Sequence, residues 1–198
     1  ESVEAVWEVG CGAGNTLFPL YKHHKQQYNK KIKVHACDVS EEAVNLVRSF
    51  RDFDAENMDV FVYDANTCEQ PASIADSSLD AITCVFVLSA LNPARLPQLF
   101  SLFHKLLKPN GVLLIRDYAW GDLAQTRLKP NRVVASDGSM YTRGDGTAVH
   151  FFKDGELASF GDGLFAVSQD YTDRRLIVNR KRKLEMFRSW TQVKLTRI

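Results

Sequence analysis

The 198-residue chain is predicted to fold as an α/β protein built on one mostly parallel sheet, and three observations agree on this. Apolar runs of strand length alternate with amphipathic runs of helix length, the rhythm of βαβ units. The first apolar run ends in a three-glycine turn, Gly10-Cys11-Gly12-Ala13-Gly14. Acidic residues then fall at the ends of successive apolar runs, where open α/β sheets place their ligand crevice.

The first strand is expected over residues 3–9. Gly10, Gly12 and Gly14 then allow a sharp turn with positive φ and the approach of a ligand to bare main chain. A helix over about 15–28 follows. The second strand, 32–37, ends on Asp38, and Ser40 is placed to cap a helix reaching about Phe53. The third strand, 60–63, ends on Asp64. The fourth, 79–88, is nearly all apolar, as a strand buried on both faces should be. Asn92-Pro93 is a helix start and Lys108-Pro109-Asn110-Gly111 a helix stop, before a fifth strand over 112–115.

Beyond Asp117 the texture changes. Residues 118–150 are rich in Gly, Asp, Arg and aromatics, with turn signals at Asp137-Gly138 and Asp145-Gly146. They read as an inserted loop or hairpin over the crevice end of the sheet, on the substrate side. A short helix near 154–160 leads to two strand-like runs, 174–179 and 186–195, expected to close a seven-stranded sheet as an antiparallel pair.

Composition suits a single domain over residues 1–198, with 45% hydrophobic and 25% charged residues. Because the chain opens directly on a strand expected in mid-sheet, a natural N-terminal portion is expected to precede it. The net charge of +1 hides an asymmetry: residues 165–198 hold nine Arg or Lys against three Asp or Glu. An anionic partner would feel that local patch rather than the total. Cys11, Cys37, Cys68 and Cys84 form no Cys-x-x-Cys pair and read as reduced, buried thiols. His23 and His24 lack accompanying ligands, so no metal site is expected. No apolar stretch reaches membrane-spanning length. A cytoplasmic location is expected, with mitochondrial and nuclear ones left open by the N-terminal portion expected to precede the chain.

The order of the glycines narrows the ligand. A dinucleotide fingerprint needs Gly or Ala five positions after the first glycine, where this chain has Asn15, and the phosphate loop of nucleotide hydrolases needs a Gly-Lys-Ser/Thr ending that is absent. Glu8, Asp38 and Asp64 would all meet a ligand outside the strand ends. Asp38 suits a ribose diol, Asp64 the exocyclic amine of adenine, and Glu8 the orientation of the turn or of a water near an aminoacyl group. Three carboxylates oppose a pyrophosphate but tolerate a sulfonium, which favours S-adenosylmethionine on charge grounds. Taken singly, each carboxylate could instead be a helix cap or turn former.

Several segments together are more specific. Glu8-Val9-Gly10-Cys11-Gly12-Ala13-Gly14-Asn15 with Phe18-Pro19, Phe86-Val87-Leu88-Ser89-Ala90, Arg116-Asp117-Tyr118, Arg143-Gly144-Asp145-Gly146-Thr147 with Phe151-Phe152, and Asp173-Arg174-Arg175-Leu176-Ile177-Val178-Asn179-Arg180 make the chain resemble the tRNA 3-methylcytidine methyltransferases. The likeness spans essentially the whole chain and is nearest to the threonine-tRNA branch. It implies a Rossmann-like class I methyltransferase fold and methylation of ring nitrogen 3 of a cytidine in the anticodon loop. It also implies S-adenosylmethionine as donor, S-adenosylhomocysteine as product, and Gly10, Gly12, Asp38, Asp64, Ala65 and Val85 around the cofactor. A protein partner assisting tRNA selection is a further expectation. Ala119 and Ala148-Val149-His150 depart from the family's usual residues.

Nitrogen 3 of cytosine carries an in-plane lone pair, so no general base is required and alignment should supply most of the acceleration. Asp117, at the end of the fifth strand, is expected to hydrogen-bond the cytosine amino group and favour the developing cation. Arg116 is expected to pair with Asp117, and Tyr118 or Phe86 to stack on an extruded base. Arg180, Lys181, Arg182 and Lys183, with Arg174, Arg175 and Arg188, are placed to neutralise phosphates, and Arg127, Lys129 and Arg143 to line the path inward. Two rival readings stay open: a class I methyltransferase acting on a small molecule or protein, and a methyltransferase-like module that binds without catalysing.

Overall fold

The computed structural model describes residues 3–144 and 146–198; Asp145, half of one predicted turn, lies outside the described residues. Seven strands form one sheet in the order β3-β2-β1-β4-β5-β9-β8. The strands β1 (Ala5–Val9), β2 (Lys33–Asp38), β3 (Met58–Val62), β4 (Leu79–Val85) and β5 (Leu107–Tyr118) run parallel. β9 (Leu184–Arg197) pairs antiparallel with both β5 and β8 (Phe165–Asn179), as expected of the closing pair.

Strand alternation gives the sheet two faces, and helices cover most of both. Trp7, Val9, Ile82, Cys84, Leu113 and Ile115 belong to a core completed by α3 (Leu96–Leu106). Val6, Val34, Ala36 and Ala81 belong to a second, with α1 (Leu17–Tyr28) and α2 (Glu41–Arg48). In α1 the buried residues Leu17, Tyr21 and His24 recur at helical spacing, and Asn29 ends the helix at φ 49°. All four cysteines are free and buried.

Two expected elements end early. α2 stops before Ser49 rather than near Phe53 because Asp54 gathers the chain into a turn, accepting hydrogen bonds from Tyr21 Oη at 2.6 Å, Asn57 Nδ2 at 3.1 Å and the Glu56 N–H at 3.2 Å. β4 stops at Val85 rather than Leu88. There Phe86 turns the backbone at φ 57° into a short 3₁₀ segment, Leu88–Ala90.

Other elements are longer than expected. β5 includes the predicted stop at 108–111, because Leu79 pairs with Leu107 while Ala81 pairs with Val112, so those four residues are looped out of a continuing strand. β8 begins at Phe165, far before residue 174. The insertion does contain a hairpin, β6 (Met140–Thr142) with β7 (Ala148–His150), and a short helix α4 (Leu123–Thr126). The last helix, α5 (Glu156–Ser159), falls within the expected 154–160.

Candidate active site

The glycine turn sits at the carboxyl end of β1, and its three glycines differ. All have positive φ, 71° at Gly10, 48° at Gly12 and 79° at Gly14. A Cβ on Gly10 would meet Val87 Cγ2 at 2.5 Å and one on Gly14 the Phe18 ring at 2.5 Å, whereas one on Gly12 would meet nothing within 4 Å. Gly10 and Gly14 are thus packed from within. Gly12 alone offers open space above its backbone.

Asp38 fastens this turn to the next helix. Its Oδ2 accepts from the Gly12 N–H at 2.9 Å and its Oδ1 from the Ser40 N–H at 3.0 Å, while Ser40 Oγ caps α2 through the Ala43 N–H. Each carboxylate oxygen can take a further donor. Asp64 is exposed at the end of β3, with Oδ1 accepting from the Asn66 N–H at 2.9 Å and from Asn66 Nδ2 at 3.1 Å. Between them lies a cavity of about 300 Å³ bordered by Gly10, Asp38, Asp64, Ala65, Val87 and Ala148. Apolar walls with one carboxylate on each of two neighbouring strand ends fit a flat base and a diol: these two acceptors suit a nucleoside and oppose a pyrophosphate.

The other expected cofactor residues lie elsewhere. Gly14 supports the turn from beneath, against Phe18. Glu8 is inside β1 rather than beyond it, paired in register with Ala36 and Thr83 and 2% exposed. Burial pushes its carboxyl up to about 8, opposed by the Thr16 hydroxyl, and neither Glu8 Oε2 nor Thr83 Oγ1 has a hydrogen-bond partner among the described residues. Val85 does not border the nucleoside-sized cavity. It faces a separate hollow of about 350 Å³ with Thr16, Leu20, Thr83 and Arg116.

Arg116, Asp117 and Tyr118 end β5, and their alternation divides them. Asp117 is fully buried, accepting from the Ser89 N–H at 3.0 Å through Oδ2 and from the Tyr118 N–H at 2.8 Å through Oδ1. Burial raises its carboxyl above the usual range, against those hydrogen bonds. This corrects two expectations. Asp117 reaches no open surface from which to touch a base, and it does not pair with Arg116, because adjacent strand residues point to opposite faces. It holds the turn after β4 in place.

Arg116 instead reaches Asp173 of β8, Nη2 to Oδ2 at 3.3 Å, and its guanidinium lies 4.7 Å from the Trp190 ring centre. Arg188 lies over the same ring at 5.2 Å and Arg143 over Tyr118 at 5.3 Å. Phe86, 40% exposed, completes the group with its ring 5.1 Å from Tyr118 and 6.3 Å from Trp190. Three aromatic rings and three arginines therefore meet beside the strand ends. Phe86, Tyr118 and Arg143 lie on the side where the sequence places them, while Arg116 joins the group through Asp173 and Trp190 instead of Asp117. Trp190 was missed, although Arg188, Trp190 and Gln192 alternate onto one face of β9 and the register sets Trp190 opposite Tyr118.

The remaining basic residues stand apart. Arg180, Lys181 and Arg182 form the exposed turn between β8 and β9, and Arg127 and Lys129 are exposed just after α4. Among the described residues no three metal-ligating side chains gather, and no helix is long and apolar enough to cross a membrane.

A sheet of this order with a glycine turn and carboxylates at its strand ends defines a Rossmann-like methyltransferase fold. The chain belongs to the family described as "Methyltransferase domain", whose model matches residues 7–113. Its relatives include the "tRNA N(3)-methylcytidine methyltransferase trm140" of Schizosaccharomyces pombe, 40% identical over 96% of this chain and 61% of that protein. The "tRNA(Thr) (cytosine(32)-N(3))-methyltransferase" of Saccharomyces cerevisiae is 39% identical over 94% of this chain and 30% of that protein. The chain thus spans less than two thirds of the length of either. Among solved structures, a SAM-dependent methyltransferase of Methanosarcina mazei has the same fold, with a TM-score of 0.71 over 100% of this chain and 94% of that one at 17% identity.

Proposed function

We propose that this chain is the catalytic domain of an S-adenosylmethionine-dependent enzyme that forms 3-methylcytidine in the anticodon loop of tRNA. The observation that carries this reading is the juxtaposition, across β1, β4 and β5, of a nucleoside-sized cavity and an arginine-rimmed aromatic cluster. Relatives of the same named activity at about 40% identity, over nearly the whole chain, support it.

Asp38 and Asp64 would hold the ribose and base of the cofactor, and Gly12 would admit its backbone-facing edge. When bound, S-adenosylmethionine supplies an electrophilic methyl group. Phe86, whose ring is the most exposed of the three, offers a stacking surface for the acceptor base, with Tyr118 and Trp190 as its walls. A ring nitrogen with an in-plane lone pair needs no proton removed. The residues therefore act by alignment, for which effective molarities imply roughly 7 to 11 kcal/mol.

The test uses the chain and its full-length protein, each with methyl-labelled cofactor and tRNA from cells lacking the enzyme, followed by nucleoside analysis. Label in 3-methylcytidine is the expected result. Label in another nucleoside, or none despite S-adenosylhomocysteine binding, overturns the reading. Arms with and without cell extract test the further expectation that a protein partner assists in selecting the tRNA.

A further inference from the structure

The strands β8 and β9 outrun the sheet they close. β9 pairs with β5 only from Trp190 to Thr196, so in the sheet the backbones of the five pairs from Arg175↔Arg188 to Asn179↔Leu184 pair only with each other, while the Arg188 side chain anchors the arm's base on Asp122. At ~3.4 Å per residue this makes an arm roughly 17 Å long. It springs from Trp190, which borders Phe86 on the ribbon face opposite to that of Phe187.

Two properties of the arm are unusual together. Its apolar side chains are bare: Phe187 is 67% exposed, Leu176 and Val178 50%, and Leu184 40%. An isolated two-stranded ribbon is marginal in water, and exposed carbon of this kind marks a contact surface. Its charge is also one-sided, with six Arg or Lys against Glu185 alone over residues 175–188; Arg175 and Arg188 pair with Asp173 and Asp122, and the four of the turn have no such partner among the described residues.

We propose that the arm grips unpaired nucleotides flanking the acceptor, with the Phe187 ring stacking on a base, Leu176 packing beside it, and the 180–183 turn holding phosphates. The proposal rests on the reading of tRNA as substrate and extends it from the crevice to the loop around it. The charge selects a polyanion. The carbon selects its single-stranded part, because unpaired bases can splay onto an aromatic side chain while a duplex shows this arm only its phosphates and 2′-hydroxyls. The register places Phe187 and Leu176 directly opposite each other, so ring and side chain form one continuous patch.

The test compares wild-type full-length protein with Phe187→Ala, whose exposed site leaves the core untouched. Binding is measured to the anticodon stem-loop and to a duplex of equal length across a salt series, with S-adenosylhomocysteine binding as the check on folding. We expect stem-loop affinity to fall about tenfold or more, with an unchanged salt slope and unchanged duplex binding. Replacing Arg180, Lys181 and Arg182 by Gln should instead flatten the salt slope on both RNAs. Equal stem-loop affinity for Phe187→Ala and wild type overturns the arm, as does a defect seen only when cell extract is added, which would make Phe187 a protein contact. Failure of the wild type to place label in 3-methylcytidine overturns the reaction instead, so the two failures are distinct.

Discussion

The Arg116 guanidinium lies between a ring and a carboxylate: 4.7 Å from the Trp190 centre and 3.3 Å, Nη2 to Oδ2, from Asp173. Asp173 also accepts from Gln192 Nε2 and from Arg175 Nε, so one carboxylate on β8 sets the position of a cation two strands away. This arrangement, rather than an Arg116–Asp117 pair, organises the aromatic cluster beside the strand ends. Lysine keeps the charge but loses the planar stack. Arg116→Lys is therefore expected to slow methyl transfer about tenfold, leaving S-adenosylhomocysteine affinity unchanged. Steady-state kinetics beside calorimetry would show it, and equal rates would remove the stack from the mechanism.

Asp117→Asn tests the buried partner. Asparagine has one acceptor oxygen where Asp117 uses two, so either Ser89 or Tyr118 loses its hydrogen bond. An unsatisfied buried donor implies a loss of about 1–3 kcal/mol, read by denaturant unfolding. Transfer should fall with it, because the turn carrying Phe86 loosens. Full stability in the variant would contradict this role.

Glu8 predicts a pH dependence of stability. Its carboxyl ionises near 4.5 when free and near 8 in the fold. Between those values the folded state keeps a proton that the unfolded chain has released, so rising pH favours unfolding, and the loss levels off above about pH 8. Fully expressed, the shift is worth about 5 kcal/mol. Glu8→Gln should flatten the profile between pH 5 and 8 and exceed wild type in stability at pH 8. Parallel profiles in urea titrations would exclude Glu8 as the cause.

Two glycines in one turn should respond differently. Gly10→Ala forces a methyl group against Val87 at 2.5 Å, so the fold itself should lose stability. Gly12→Ala meets nothing, and only its φ of 48° resists. That variant should melt within a few degrees of wild type yet bind S-adenosylhomocysteine at least about tenfold more weakly, as measured by calorimetry.

The parallel half of the fold is written plainly in the sequence because its strands are buried on both faces, and β4 shows this as a run that is apolar save for Asp80 and Thr83. β8 is hard to see for the opposite reason. It is an edge strand and most of its residues are exposed, so residues 166–171 carry no inward-facing pattern. The cavity was legible through Gly10, Asp38 and Asp64. Trp190 was not, since the cluster exists only once register sets β9 against β5. The separation of Arg116 from Asp117 was legible all along in the period-two alternation of a strand.

The strand order also governs biogenesis. β9 follows β8 in the chain but lies between β8 and β5. When β8 leaves the ribosome its place at the sheet edge does not yet exist, and β5 still presents a bare edge. Both wait for β9, so the edge of the sheet built from β5, β9 and β8 assembles last. Premature termination before Val193 would remove Val193 and Leu195 from the core together with most of the pairing that sets Trp190 beside Tyr118.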